Sequence, residues 1–389
     1  LKPPAHTGAF LEATGPLADF GTKAGLLPCQ RIKALIAHRK LVQAAPDIED
    51  SQVQPASLDL RLGARAYRVR ASFLPGRSKT VEEQLHALSY DEIDIEHGAV
   101  LEKGCVYVVE LLEHLNLPES LSGLANPKSS TGRLDIFTRL IADRSDVFDS
   151  VHGKYEGKIY AEISPCSFSI RVRKGSRLNQ MRFRRRNPAQ NENSKFSLND
   201  RELHKRHQEQ PLVDGDILLR NGVILSVDLG GEAGGLIGYR AQRYSGVVDV
   251  DAIGQYDARD FWEPMHARAD QKLVLDPHQF YILASRERVS IPPDLAAEMV
   301  PIDPMMGEFR VHYAGFFDPG FGMTAKGEPG ARAVLEVRSH EVPFVLEHGQ
   351  AVGRLDYEPL AELPDYLYGE GKRSNYQGQG LKLSKHFRE

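Results

Sequence analysis

The sequence predicts an all-β protein with a few short helices, organised as two tandem β-barrel or jelly-roll domains. Two observations carry this. Its apolar runs are short and alternating, as in "SLDLRLG", "KGCVYVVEL", "KIYAEI" and "SFSIRVR", between Gly, Pro and Asp punctuation. And the chain repeats itself once.

The repeat sets residues 99–127 ("AVLEKGCVYVVELLEHLNLPESLSGLANP") against 273–301 at a constant offset of 174. Tyr107, Glu113, Pro118 and Pro127 match Tyr281, Glu287, Pro292 and Pro301, and Glu162 later pairs with Glu336. Each half therefore has the size of one domain. In chain order the expected parts are an N-terminal extension (1–27), a first barrel (28–183), a charged connector (184–211), a second barrel (212–360) and a Gly- and Tyr-rich tail (361–389). One amphipathic helix is expected at 29–40, with Ile32, Leu35 and Ile36 on one face.

Bulk numbers exclude several classes. The 389 residues carry a net charge of −4, so the whole molecule is not an electrostatic nucleic-acid binder. Three dispersed cysteines, Cys29, Cys105 and Cys166, argue against a disulfide scaffold and fit a reducing compartment. No apolar run approaches the roughly 20 residues of a membrane span. Residues 1–27 show no signal-peptide pattern, so a cytoplasmic protein without a membrane or nucleic-acid partner is expected. There is no HExxH, Walker, Rossmann or G-x-S-x-G motif. The zinc-deaminase pattern is also absent, so zinc is not expected.

Four stretches remain as candidates. "KSSTGR" places Lys128, Ser129, Ser130 and Arg133 where hydroxyls, backbone N–H groups and an Arg fork suit a phosphate chain. A solvated turn is the competing reading. Glu162 follows Ile159 and Tyr160 in a strand-like run, and burial of such a carboxylate raises its pKa and suits a proton shuttle. An outward-facing strand Glu is the competing reading, which Glu336 in the matching strand weakens. "ADRSD" (142–146) offers Arg144 to a carboxylate or phosphate, or to a surface ion pair. The tail "NYQGQGLKLSK" (375–385) reads as a lid over a ligand or as a disordered terminus.

Together these residues resemble the dCTP deaminase/dUTPase family. "VQPASLDLRLG", "KSSTGR", "ADRSD…YEGKIYAEIS", "GSRLNQMRF" and "YQGQG" resemble its motifs in order and cover most of 28–183 and 212–385. The resemblance implies a trimer of distorted β-barrels with active sites at subunit boundaries. It implies a nucleoside triphosphate substrate, with Mg2+ on its phosphates and no protein metal ligand. By the same resemblance Glu162 is the catalytic acid/base. Lys128, Ser129, Ser130, Arg133, Ala142, Arg144, Asp146, Tyr155, Tyr376, Gln377 and Gln379 bind substrate.

The expected reaction is dCTP to dUTP and ammonia. A dUTP diphosphatase, a bifunctional enzyme and a non-catalytic nucleotide sensor are the alternatives, and dTTP is a further candidate ligand. The sequence departs from the family pattern at Lys128, at the inserted "DVFDSVHGKY", and in the second half, where "DPMMGEFR" lacks the serines. The first half is therefore the expected catalytic half. A composite site joining its loop to Glu336 is the alternative.

Overall fold

Alternation along the apolar runs produces the sheets. In the computed structural model the described residues are 23–37, 41–186, 196–231, 235–301, 309–311, 315–339, 341–370 and 374–388. Residues 1–22 of the expected extension and 303–308 of the second half's "DPMMGEFR" lie outside them.

In the first half, β1 (Leu62–Val69), β2 (Ser89–Asp94), β3 (Val106–Asn116), β5 (Ile136–Ala142) and β6 (Glu156–Pro165) hydrogen-bond in the order β2-β1-β3-β6-β5. The intervening β4 (Leu121–Pro127) pairs instead with β7 (Asn179–Arg185) in a second sheet. Along β3, Val109, Leu111 and Leu115 point into the core, as the period-2 pattern requires.

The second half repeats the arrangement. Its strands are β8 (Leu236–Ala241), β9 (Trp262–His266), β10 (Phe280–Val289), β11 (Leu295–Pro301), β12 (Phe309–Val311), β13 (Ala331–Ser339) and β14 (Ala351–Pro359). The main order is β9-β8-β10-β13-β12, and β11 pairs with β14. Register follows the sequence offset: Glu162 lies opposite Val108 on β3, and Glu336 opposite Ile282 on β10.

The two sheet systems each keep a core, but the first half's core also takes in residues of the second. Phe261, Trp262, Phe280, Ile282 and Val334 of the second half pack into the first half's core, as does Phe387 of the tail. Phe168 meets Trp262 edge to face at 5.3 Å. The charged stretch 184–211 is more than a connector. Arg184 and Arg185 belong to β7, and Asp200–Glu209 forms a helix with a capping box between Asn199 and Glu202. Leu203 anchors that helix in the second half's core. One apolar side chain in a polar run carries too weak a period to read in sequence. The helix expected at 29–40 spans Cys29–Ala37, with Ile32 and Leu35 buried.

Polar contacts also bind the halves. Arg182, buried on β7, donates to Glu298 on β11 and to Asn126, each at 2.7 Å. Asn126 in turn donates to Glu298 at 2.9 Å, and the guanidinium stacks on Phe316. Glu298→Ala would leave a buried cation without its carboxylate, so it is expected to lower unfolding free energy by about 3 kcal/mol. Denaturant unfolding of the variant beside the parent chain measures this.

Candidate functional site

Lys128–Arg133 does not continue strand β4. Three small or hydroxyl residues and a glycine wind into one helical turn, Ser129–Gly132, closed by Gly132 N to Lys128 O at 3.0 Å and Arg133 N to Ser129 O at 3.1 Å. Thr131 Oγ1 pins the turn to Leu178 O at 2.9 Å. The turn projects across the boundary between halves onto β13, where Glu336 stands.

The contact is close. A Cβ added to Gly132 would lie 2.4 Å from Glu336 Oε2. Here the glycine is constrained by space and not by backbone angle, and the group it meets is the end of a side chain.

The loop and Glu336 line one cavity of about 460 Å3, shared by both halves and the tail. Glu336 is 6 % exposed, and burial pushes its carboxyl up to about 8. Arg133 opposes that shift and Asp135 adds to it. Such a group takes and returns protons near neutrality.

Arg133 is itself fixed by the tail. It donates to Gln379 Oε1 and to Lys382 O, both at 2.9 Å, and its guanidinium lies 3.9 Å from the Tyr376 ring centroid. Ser384 Oγ donates to Ser130 O at 2.8 Å. The tail is therefore a folded cover, with Phe387–Arg388 paired in parallel to Tyr256–Asp257. It is not a disordered end over its described residues.

Of the expected site residues, the cavity gathers Lys128, Ser129, Ser130, Arg133, Tyr376, Gln379 and the alternative Glu336. It does not gather Glu162. That carboxylate is buried elsewhere, bonded to Arg139 Nη2 at 2.7 Å and Nε at 3.1 Å. The Arg139 guanidinium stacks 3.5 Å from the Phe148 ring centroid. The preference for Glu162 is thus revised on placement: it has an ion-pair partner and no opening to this cavity.

Ala142, Arg144, Asp146 and Tyr155 also lie away from it. Ala142 is buried in β5, and Arg144 is exposed at a left-handed φ of 54°. Asp146 pairs with Arg77 at 2.7 Å, which holds its carboxyl below the ordinary range. Tyr155 Oη donates to Lys158 O and accepts from Asp143 N. By strand register Phe316–Phe317, which pairs with Glu298 and Ala297, answers to Ser150–Val151, which pairs with Leu124 and Gly123; only the second half's segment, Phe316–Asp318, lines the cavity. Gln377 does not line the cavity but braces the turn beside it, accepting from Gly322 N at 3.0 Å and donating to Gly320 O at 3.1 Å.

The structure adds residues that sequence reasoning passed over. Asp318, in the Asp-Pro-Gly-Phe turn, is buried in the cavity wall, accepts from Ala56 N at 3.1 Å, and is pushed up to about 7 by burial. Its signal was that turn, which only the second half carries. Asp59, from "ASLDLRLG", ion-pairs with Lys128. Arg177 and Lys385 add cations to the lining. Among the described residues no group of three His, Cys, Asp or Glu is placed to hold a metal ion.

Two domain models match the chain: the 2'-deoxycytidine 5'-triphosphate deaminase N-terminal domain over residues 23–187 and its C-terminal domain over 199–387. The crystal structure of the deaminase of that name from Agrobacterium tumefaciens is 54 % identical with a TM-score of 0.82, over 87 % of this chain and 99 % of that one. A "dCTP deaminase, dUMP-forming" from Kocuria rhizophila is 34 % identical over 113 residues, 28 % of this chain and 55 % of that protein. A "probable deoxyuridine 5'-triphosphate nucleotidohydrolase" from Methanopyrus kandleri is 36 % identical over 88 residues, 22 % of this chain and 53 % of that protein. The chain thus spans about half the length of these two curated relatives.

In Gly132→Ala the carboxylate end of Glu336 is the mobile partner in the clash. The variant is expected to drive that carboxylate into the open cavity, where better solvation lowers its titration midpoint from about 8. Unfolding free energy should change by less than about 1 kcal/mol. Carboxyl-carbon NMR titration and denaturant unfolding read the two effects separately.

Proposed function

Because the chain belongs to the 2'-deoxycytidine 5'-triphosphate deaminase family, both of whose domain models it matches, we propose that it hydrolyses dCTP to dUTP and ammonia. The reaction takes place in the cavity between its halves, with Glu336 as general base and then general acid. The observation that carries this reading is the Glu336 carboxyl, buried beneath Gly132 and facing the cavity with a pKa raised to about 8.

The ionised Glu336 takes a proton from water as the water oxygen bonds to C4 of cytosine. That proton passes to N3. Glu336 then moves the remaining hydroxyl proton to the exocyclic amine, the C4–N bond breaks, ammonia leaves, and uracil retains the N3 proton. Arg133 favours the ionised carboxylate, and its fixed stack on Tyr376 removes the need to reorganise during the reaction. Lys128, Arg177 and Lys385 suit the phosphate chain. Mg2+ would arrive on those phosphates, since Asp59 is already committed to Lys128. A homotrimer is the assembly the family resemblance suggests, and sedimentation equilibrium tests it.

A second reading adds hydrolysis of the phosphate chain. It is favoured by the relatives named dUMP-forming and by the nucleotidohydrolase match. Pyrophosphate and dUMP alongside ammonia would select it, whereas dUTP and ammonia alone select simple deamination.

Ammonia release from dCTP tests the site assignment. Glu336→Gln is expected to lower kcat by about 10²–10⁴-fold, the range of general acid–base catalysis. Glu162→Gln should retain activity within a few-fold. The reverse result would return the role to Glu162.

The acid limb of kcat/KM provides a further test. Glu336 must be ionised to act as base, and it is protonated below its raised pKa. Activity is expected to rise with pH towards a midpoint of about 8 and to lose that limb in Glu336→Gln.

A further inference from the structure

Asp135 has an unusual position. It lies two residues beyond Arg133 and adopts a left-handed φ of 55°, uncommon for a side chain other than glycine. It is 1 % exposed. Its backbone is held from both sides, by Asp135 N to Gly132 O at 2.8 Å and Cys166 N to Asp135 O at 2.9 Å. Its carboxylate accepts from Ser167 Oγ at 2.6 Å and from Arg338 Nη2 of the other half.

Arg338 lies two residues beyond Glu336 on β13, so the period of the strand puts both side chains on the same face. Arg338 is mostly buried and also donates to His278 O at 2.6 Å. Across the boundary, Asp135 of the first half thus ion-pairs with Arg338 of the second, while Arg133 lies near enough to Glu336 to favour its ionised form.

We infer that the Asp135–Arg338 ion pair is a positioning device for the Glu336 centre: it locks the first half's loop in register on β13 and cancels the negative charge Asp135 would otherwise present to Glu336. This rests on the proposed role of Glu336. Neither residue touches the cavity, so both act through Glu336 and Arg133.

The groups facing Glu336 are Arg133 and Asp135 from the first half and Tyr376 from the tail. Lys128, Asp59, Asp318 and Lys385 line the same cavity. Among the described residues, Arg133 favours the ionised form of Glu336 across the boundary and Asp135 disfavours it.

Opposite shifts are therefore expected from the two single variants. Arg338→Gln uncovers the Asp135 charge and should raise the Glu336 midpoint by about 1 pH unit. Asp135→Asn removes that charge while the left-handed backbone tolerates Asn, and should lower the midpoint by a similar amount. The double variant should return near the parent value, and Arg338→Lys should move it least.

The midpoint is read by carboxyl-carbon NMR titration of full-length protein, with the Glu336 resonance assigned by its loss in Glu336→Gln. The acid limb of ammonia release is measured in parallel. Shifts in the same direction, or no shift in either folded variant, overturn the inference. If Arg338→Gln does not fold, Asp135→Asn decides alone: a lowered midpoint supports the ion-pair role, and an unchanged one overturns it. The NMR reading does not depend on turnover. Failure of the proposed Glu336 role would show separately, as full ammonia release by Glu336→Gln, and failure of the deaminase reading as no ammonia from dCTP with the parent chain.

Discussion

The site rests on one juxtaposition: a buried carboxylate on one half of the chain roofed by a glycine from the other. Taking a carboxylate out of water is costly unless it is neutralised or paired. Glu336 meets that cost by staying protonated to an unusually high pH, with Arg133 near enough to favour ionisation. Neither half can build this arrangement alone. The shared core, the Arg182–Glu298 pair and the Asp135–Arg338 pair all keep the two surfaces in register.

The duplication shows how one strand position acquires two chemistries. Glu162 and Glu336 occupy equivalent places opposite equivalent partners. Around Glu162 the neighbouring strand supplies Arg139, whose guanidinium is sandwiched near Phe137 and Phe148. Two guanidinium N–H groups converge on one carboxylate oxygen of Glu162 and tie it to its own sheet. Around Glu336 the loop brings a cation that is shared with the tail, and the space beyond is open. The difference lies in the neighbours, not in the carboxylate.

The tail is held by partners a flexible terminus would lack. Phe387 is buried among Tyr256, Phe261 and Trp262. His386 bridges Ser384 at 2.9 Å and Val250 O at 2.8 Å, and burial pushes its imidazole down to about 4. A neutral ring is therefore part of the cover at ordinary pH. Because Arg133 is shared between tail and loop, the cover and the cavity wall form one hydrogen-bonded unit.

Periodicity and the constant offset in the sequence were enough to determine the β architecture, the duplication and the loop that enters the site. Lys128, Ser129, Ser130, Arg133, Tyr376 and Gln379 were singled out through the family resemblance, because hydroxyls, cations and glycines at short spacing fit a solvated turn or a loose terminus as well as a site. The choice between Glu162 and Glu336 was not legible, since each sits in the same local pattern and only packing reveals which one meets Arg139 and which one meets Gly132. Asp135 and Arg338 are 203 residues apart, and no local period links them. Leu203 carried too little pattern to announce its helix. Local residue chemistry is written along the chain, but burial and pairing belong to surfaces that exist only once the two halves close on each other, so the tertiary structure alone decided which carboxylate faces the cavity.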